Sequence, residues 1–226
     1  MCIHLLYHSY VIPWKIKVRL LFIISLFFSA LGVAFTKHGE LGVSPISSVA
    51  NVVSYKWTTM SLGNLLIIWN CLLILGQILI LRKNFQPIQF LQIPLSFLFG
   101  WFTDLGMKIV DPIPVNSYPL RLLMIVIGVV VLSFGVALSV IANVIMNSGE
   151  AFVKAISDTT DKNFGNVKVA FDVSCVLVAV VLSLFFYHFK IVGTREGTLI
   201  SALCTGFIVK FFTEKMDEPM NRVLAD

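Results

Sequence analysis

Three stretches of this chain carry no Asp, Glu, Lys or Arg and are long enough to cross a bilayer as helix: Trp57 to Leu81, Asn84 to Thr103, and Leu122 to Gly149. A membrane-spanning helix needs about 20 apolar residues. In hydrocarbon every backbone N–H and C=O must be satisfied within the segment, so a chain with such stretches is restricted to helical spans or a closed barrel. Runs this long and this continuous predict helices.

Three weaker stretches complete the set: Leu20 to Thr36, Val169 to Phe189 with Asp172 near its start, and Gly197 to Thr213 with Lys210 near its end. The expectation is an all-α integral membrane protein of about six transmembrane helices. Lys15, Lys17 and Arg19 followed by an apolar run resemble a signal peptide. The run leads into a chain that is apolar throughout, so it reads as a first span. Met1 to Pro13 reads as a short tail carrying Leu5, Leu6, Tyr7 and Tyr10.

Composition agrees, with 58% hydrophobic and 13% charged residues and a mean hydropathy of +0.91. The net charge of +5 needs no nucleic acid as partner. Basic residues beside spans orient the chain and contact anionic lipid, which makes membrane lipids the expected partners. Cys71, Cys175 and Cys204 lie inside apolar runs, Cys2 is terminal, and His4, His8, His38 and His188 are scattered, so neither a metal site nor a cofactor is expected. No phosphate loop, metal-hydrolase spacing or nucleophile triad is present, and the chain does not read as an enzyme.

An internal repeat is legible. Gly63-Asn64 has Asn70 six residues on, and Gly165-Asn166 has Asp172 six residues on. The same order holds for Gly32-Val33-Ala34 and Gly135-Val136-Ala137, for Ser44 and Ser148, and for Gly100 to Asp104 and Gly206 to Lys210. The offsets are 103, 104, 102 and 106 residues when Gly32, Ser44, Gly63 and Gly100 are matched to Gly135, Ser148, Gly165 and Gly206. The expected organisation is a cytoplasmic tail (1–18), two membrane units (19–112 and 119–215) and a second tail (216–226).

Within each unit, Ser44 to Met60 and Ser148 to Lys162 are only moderately apolar, with Lys56 in the first and Glu150, Lys154, Asp158 and Asp161 in the second. Ser44 before Pro45 is a helix start, as is Ser148 with an acid in the next turn. Both predict short helices that enter the membrane part-way. If they dip and return, the units are inverted; if they cross, the units are parallel. With a cytoplasmic N-terminus, either arrangement puts eleven basic residues inside and six outside, so segment length alone favours inversion.

Polar residues inside spans are the site candidates, because a mid-span charge costs about 2.5 to 3.5 kcal/mol on insertion. They are Ser44, Asn64, Asn70, Asp104, Ser148, Glu150, Asn166, Asp172 and Lys210. Asp104 and Lys210 occupy matched places with opposite charge and could meet between the units, or Asp104 could pair with Lys108 while Lys210 snorkels outwards. Asp172 could share a cavity with Asn70, Asn64 and Asn166, or be neutralised by Lys168. The short helices' N-termini, with Ser44, Ser47 and Ser48, would favour an anion if both point inwards; Glu150 opposes this unless Lys154 pairs with it. A small polar or anionic solute is the implied ligand, carried by a transporter or channel with its site between the units. The rival reading is a scaffold or regulator of a partner complex, in which the same residues are helix glue; a homo-oligomer or protein partner fits either. Gln77 and Gln92 read as packing residues. Gly128, Gly135, Ser139 and Ala142 form a small face for a close helix seam, and Trp14, Trp57 and Tyr187 stand as anchors at span ends.

Gly42-Val43-Ser44-Pro45, the Gly63-Asn64 helix, and Gln92 to Leu105 with Gly100-Trp101-Phe102-Thr103-Asp104 resemble YczE/YitT-type bacterial integral membrane proteins, from the first span to Lys215. The chain departs from that pattern at Asn147 to Glu150, where the family is richer in glycine and proline. The resemblance implies a multi-pass protein of the bacterial inner membrane, of a kind sometimes described as transporters.

Overall fold

The computed structural model describes residues 16–142 and 144–225. Among them the chain forms eight α-helices: α1 (Ile16–His38), α2 (Pro45–Lys56), α3 (Leu62–Leu81), α4 (Gln92–Val110), α5 (Tyr118–Ala142), α6 (Ser148–Thr160), α7 (Phe164–Phe186) and α8 (Glu196–Ala225). Six are long and apolar enough to span a membrane, the short ones being α2 and α6. Leu79, Phe185, Leu203 and Phe207 are each at least 70% exposed, as a surface bathed in lipid rather than water would be.

Helix starts follow side-chain caps. Ser61 accepts a hydrogen bond from the Asn64 N–H at 3.1 Å, so α3 begins at Leu62 rather than Trp57, and Trp57 to Met60 form a turn. Asn163 accepts from the Gly165 N–H at 2.9 Å, starting α7 five residues before the expected Val169. The stretch expected as one span from Leu122 to Gly149 divides. α5 stops at Ala142, and α6 starts at Ser148 with Asn147 as its cap. The cap is thus one residue before the Ser148 that the sequence suggests as the helix start. The last helix runs to Ala225, so the expected tail from 216 continues α8. Met1 to Pro13 and Trp14 lie outside the described residues.

α1 and α5 form the centre of the bundle, with α4 packed on α1 and α8 on α5. Their seam is built from small residues on both sides. Gly128 and Gly135 of α5 face Thr36, Gly32, Ser29 and Ser25 of α1 so closely that a methyl group on either glycine would strike backbone. The α5 half of this seam is the small face read from the sequence. The Ser25, Ser29, Gly32, Thr36 half repeats every three or four residues and has the same character.

The path of α2 is fixed by its neighbours. The last turn of α1, the end of α2, the start of α3 and the end of α4 all line one vestibule, with Lys37, Ser54, Leu62 and Lys108 among the residues on its wall. α2 therefore starts inside the bundle and finishes at the end where α1 finishes. Its 12 residues make about 18 Å of helix, against roughly 30 Å of hydrocarbon. It dips and returns. α6 does the same from the other end, with its last residues beside the start of α7 and its first turn bonded to the interior of α3.

Candidate functional site

The two short helices come from opposite ends and meet inside the bundle. Ile46, in the first turn of α2, packs against Gly149, in the first turn of α6, closely enough that a methyl group on Gly149 would stand 2.9 Å from the Ile46 side chain. Their N-caps have almost the same backbone, φ −57°, ψ 149° at Ser44 and φ −58°, ψ 147° at Asn147. Each short helix packs mainly on a long helix of the other half, α2 on α7 and α6 on α3.

α6 is held by side chains of α3 and α4. The Ser148 hydroxyl donates to Asn70 Oδ1 at 2.7 Å, and Gln77 Nε2 donates to the Ser148 carbonyl at 3.1 Å. Gln77 and Gln92 exchange two amide hydrogen bonds at 3.0 and 3.2 Å. All four residues are buried. The void beside them is about 10 Å³, room for one water at most. Gln77 and Gln92 are packing residues, as read, and they also position α6.

α2 is held through its own side chains reaching α7 and the loop after it. Asn51 Nδ2 donates to the Gly193 carbonyl at 2.6 Å, Ser48 reaches the Cys175 carbonyl at 3.4 Å, and the Tyr187 hydroxyl donates to the Val52 carbonyl at 3.2 Å. Asn51 Oδ1 and the Thr194 and Thr198 hydroxyls beside this joint are buried with no hydrogen-bond partner. Ser44 and Ser47 bond to each other at 3.0 Å.

The nine candidate residues do not form one site. Asn70 and Ser148 meet directly. Asn64 and Asn166 are exposed, at the starts of α3 and α7 and so at opposite ends of the bundle, and cannot line one cavity with Asn70. Asp172 pairs with Lys168 one turn before it, at 2.6 and 2.8 Å, the local alternative of the two readings. Lys154 pairs with Asp158, one turn on, rather than with Glu150.

The pairing of Asp104 with Lys210 is corrected, as is its alternative with Lys108. Asp104 Oδ1 accepts from the Gly63 N–H at 2.8 Å, and Oδ2 accepts from the Ser61 hydroxyl at 2.6 Å. The carboxylate is spent on the α3 N-terminus, where free N–H groups and the helix dipole favour a negative charge. Lys210 is 74% exposed and faces Glu214 at 3.7 Å.

The vestibule is the large cavity of this end, about 810 Å³. Its polar wall is Lys37, Ser54, Tyr55, Thr58, Ser61, Asp104 and Lys108, and Met60, Leu62 and Trp101 add apolar surface. Lys37 Nζ donates to Ser54 Oγ at 2.9 Å and lies 3.3 Å from the centre of the Tyr55 ring. Such a cation–π contact holds a charged head in place while leaving part of it open. The wall carries Lys37 and Lys108 together with the Asp104 carboxylate, which keeps its negative charge while it bonds the α3 N-terminus. Lys37, Ser54 and Tyr55 were not among the residues singled out in the sequence; a lysine at the last turn of a span, beside a helix-end tyrosine, is the signal that could have found them. Among the described residues no cluster of His, Cys, Asp or Glu could hold a metal ion.

Six apolar spans with two opposed short helices meeting between them define a multi-pass helical membrane protein. The chain belongs to a family of unknown function, DUF6198, whose profile matches residues 16–214. No curated protein and no solved structure matches the chain.

Proposed function

We propose that this protein carries a small anionic or zwitterionic solute across the bacterial cell membrane, with its N-terminus in the cytoplasm and α1–α4 and α5–α8 as two inverted repeats. The observation that carries the reading is the meeting of α2 and α6 at Ile46 and Gly149, N-terminus towards N-terminus, from opposite ends. Irregular backbone at membrane depth is tolerated where protein or a water-filled path surrounds it, and paired broken elements in inverted halves are how many transporters build a central site. The vestibule suggests the solute class, since it presents Lys37 and Lys108 together with the Asp104 carboxylate, charges of both signs with basic side chains in excess.

The test is a thermal-stability screen of the purified protein against small carboxylates, phosphate and zwitterions, followed by flux into proteoliposomes. A binder is expected to raise the melting temperature, and Lys37→Met with Lys108→Met should remove both that rise and the flux. If no such solute stabilises the protein or crosses, the transport reading fails. A non-transporting regulator is the second reading. It is favoured by Asn70, which is satisfied by Ser148 at a void of only about 10 Å³, and by Asp172, which is satisfied locally by Lys168.

A further inference from the structure

The two outer helix pairs stand in different states. α3 and α4 pack along one another, and at their crossing a methyl group on Gly63 would run into the Gly100 carbonyl, and one on Gly100 into the Gly63 carbonyl. Asp104 locks the same crossing through Ser61 and Gly63. The corresponding glycines of the second half are Gly165 and Gly206, and both are open. Gly165 meets only its own Asn163 cap, and Gly206 has nothing within 4 Å. α7 and α8 make at most marginal contact, and Leu199, Leu203 and Phe207 of α8 are exposed around the empty glycine.

We infer that the protein has a second state in which α8 lies on α7 through Gly165 and Gly206, as α4 now lies on α3, and that this closure accompanies opening of the α3–α4 crossing. The inference rests on the inverted-repeat reading: two halves of one design held in two conformations can exchange them, and that exchange is how such proteins move. The chemistry supports a bias towards the present state. Small residues let helices approach in lipid, where packing and hydrogen bonds rather than hydrophobic transfer drive association. Both crossings have the glycines. Where the first half places Asp104, whose charge suits a helix N-terminus, the second places Lys210, whose charge does not. The closed α7–α8 crossing is then the weaker of the two. Opening α3–α4 would also reshape the vestibule, because Ser61, Leu62 and Asp104 belong to both.

Disulfide cross-linking tests this without a solute. In membranes containing the chain with its four native cysteines replaced, the Ser61→Cys/Asp104→Cys pair reports the first crossing and the Asn163→Cys/Lys210→Cys pair the second. Both pairs are expected to link within one chain on mild oxidation, the second more slowly, and linking the second should prevent linking of the first when all four cysteines are present. Gly206→Leu, placed in open space, should leave thermal unfolding unchanged and abolish the second link. A second pair that stays unlinked while the first links overturns the inference. So does a second link formed only between two chains, which would assign the open glycines to a dimer, or a first pair that never links. A chain that links as expected but moves no solute would lose the transport reading alone.

Discussion

α2 and α6 match in N-cap geometry and nearly in length, yet they are held differently. α6 is gripped by side chains of its host, Asn70 and Gln77 of α3 with Gln92 of α4 behind them, and every amide in that group has a partner. α2 takes one side-chain hydrogen bond from its host, Tyr187 to the Val52 carbonyl, otherwise sends its own Asn51 and Ser48 to backbone carbonyls of α7 and the following loop, and leaves Asn51 Oδ1 unpartnered. An unpaired buried acceptor costs about 1–3 kcal/mol, whereas a completed network rigidifies. The account therefore makes α6 the fixed short helix and α2 the one that yields, at the end where the vestibule opens.

The largest effect expected on this contrast comes from the host crossings. Gly63→Leu should cost roughly 3 kcal/mol or more, because the clash is with backbone, while Gly206→Leu stays within about 0.5 kcal/mol; denaturant titration in mixed micelles measures both. Equal costs would remove the difference between the two outer pairs. Next in size, Gln77→Leu should cost about 1–3 kcal/mol by stranding Gln92 and the Ser148 carbonyl, and adding Gln92→Leu should recover part of it, since replacing both partners removes one orphan. Hydrogen exchange is expected to show α6 loosening in the single variant while α2 is unchanged. Asn51→Leu should loosen α2 alone, at about 1 kcal/mol. The smallest effect is Ser148→Ala, near 0.6 kcal/mol, the average for one interhelical hydrogen bond in a membrane.

The contrast also explains what the sequence disclosed. The hosts of α6 were visible because Asn70, Gln77 and Gln92 are polar residues in apolar runs. The host of α2 is harder to read, because Cys175 and Gly193 contribute only carbonyl oxygens, which no residue type advertises, and Tyr187 reads as a span-end anchor rather than as a partner of Val52. The six spans and both short helices were legible from charge-free length and from Ser44-Pro45, but their limits moved wherever a cap acted. Ser61 and Asn163 start α3 and α7, and neither was recognised as a cap. Absence of charge could not separate α5 from the non-helical 144–147 segment, since Val144, Ile145 and Met146 are as apolar as the helix before them. Asp104 and Lys210 hold matching places in the sequence pattern, but each is engaged elsewhere, Lys210 facing Glu214 on its own helix. Asp104 answers to the nearest free N–H groups instead.

The central claim is that α2 and α6 enter from opposite sides and return. Single cysteines at Thr58, in the turn after α2, and at Asp161, in the turn after α6, are both exposed positions. In a cysteine-free background they should react with a membrane-impermeant maleimide from opposite faces of the membrane, Thr58 from outside and Asp161 only after the cytoplasmic face is opened. Labelling of both from the same face would mean that the short helices cross, and would contradict the account.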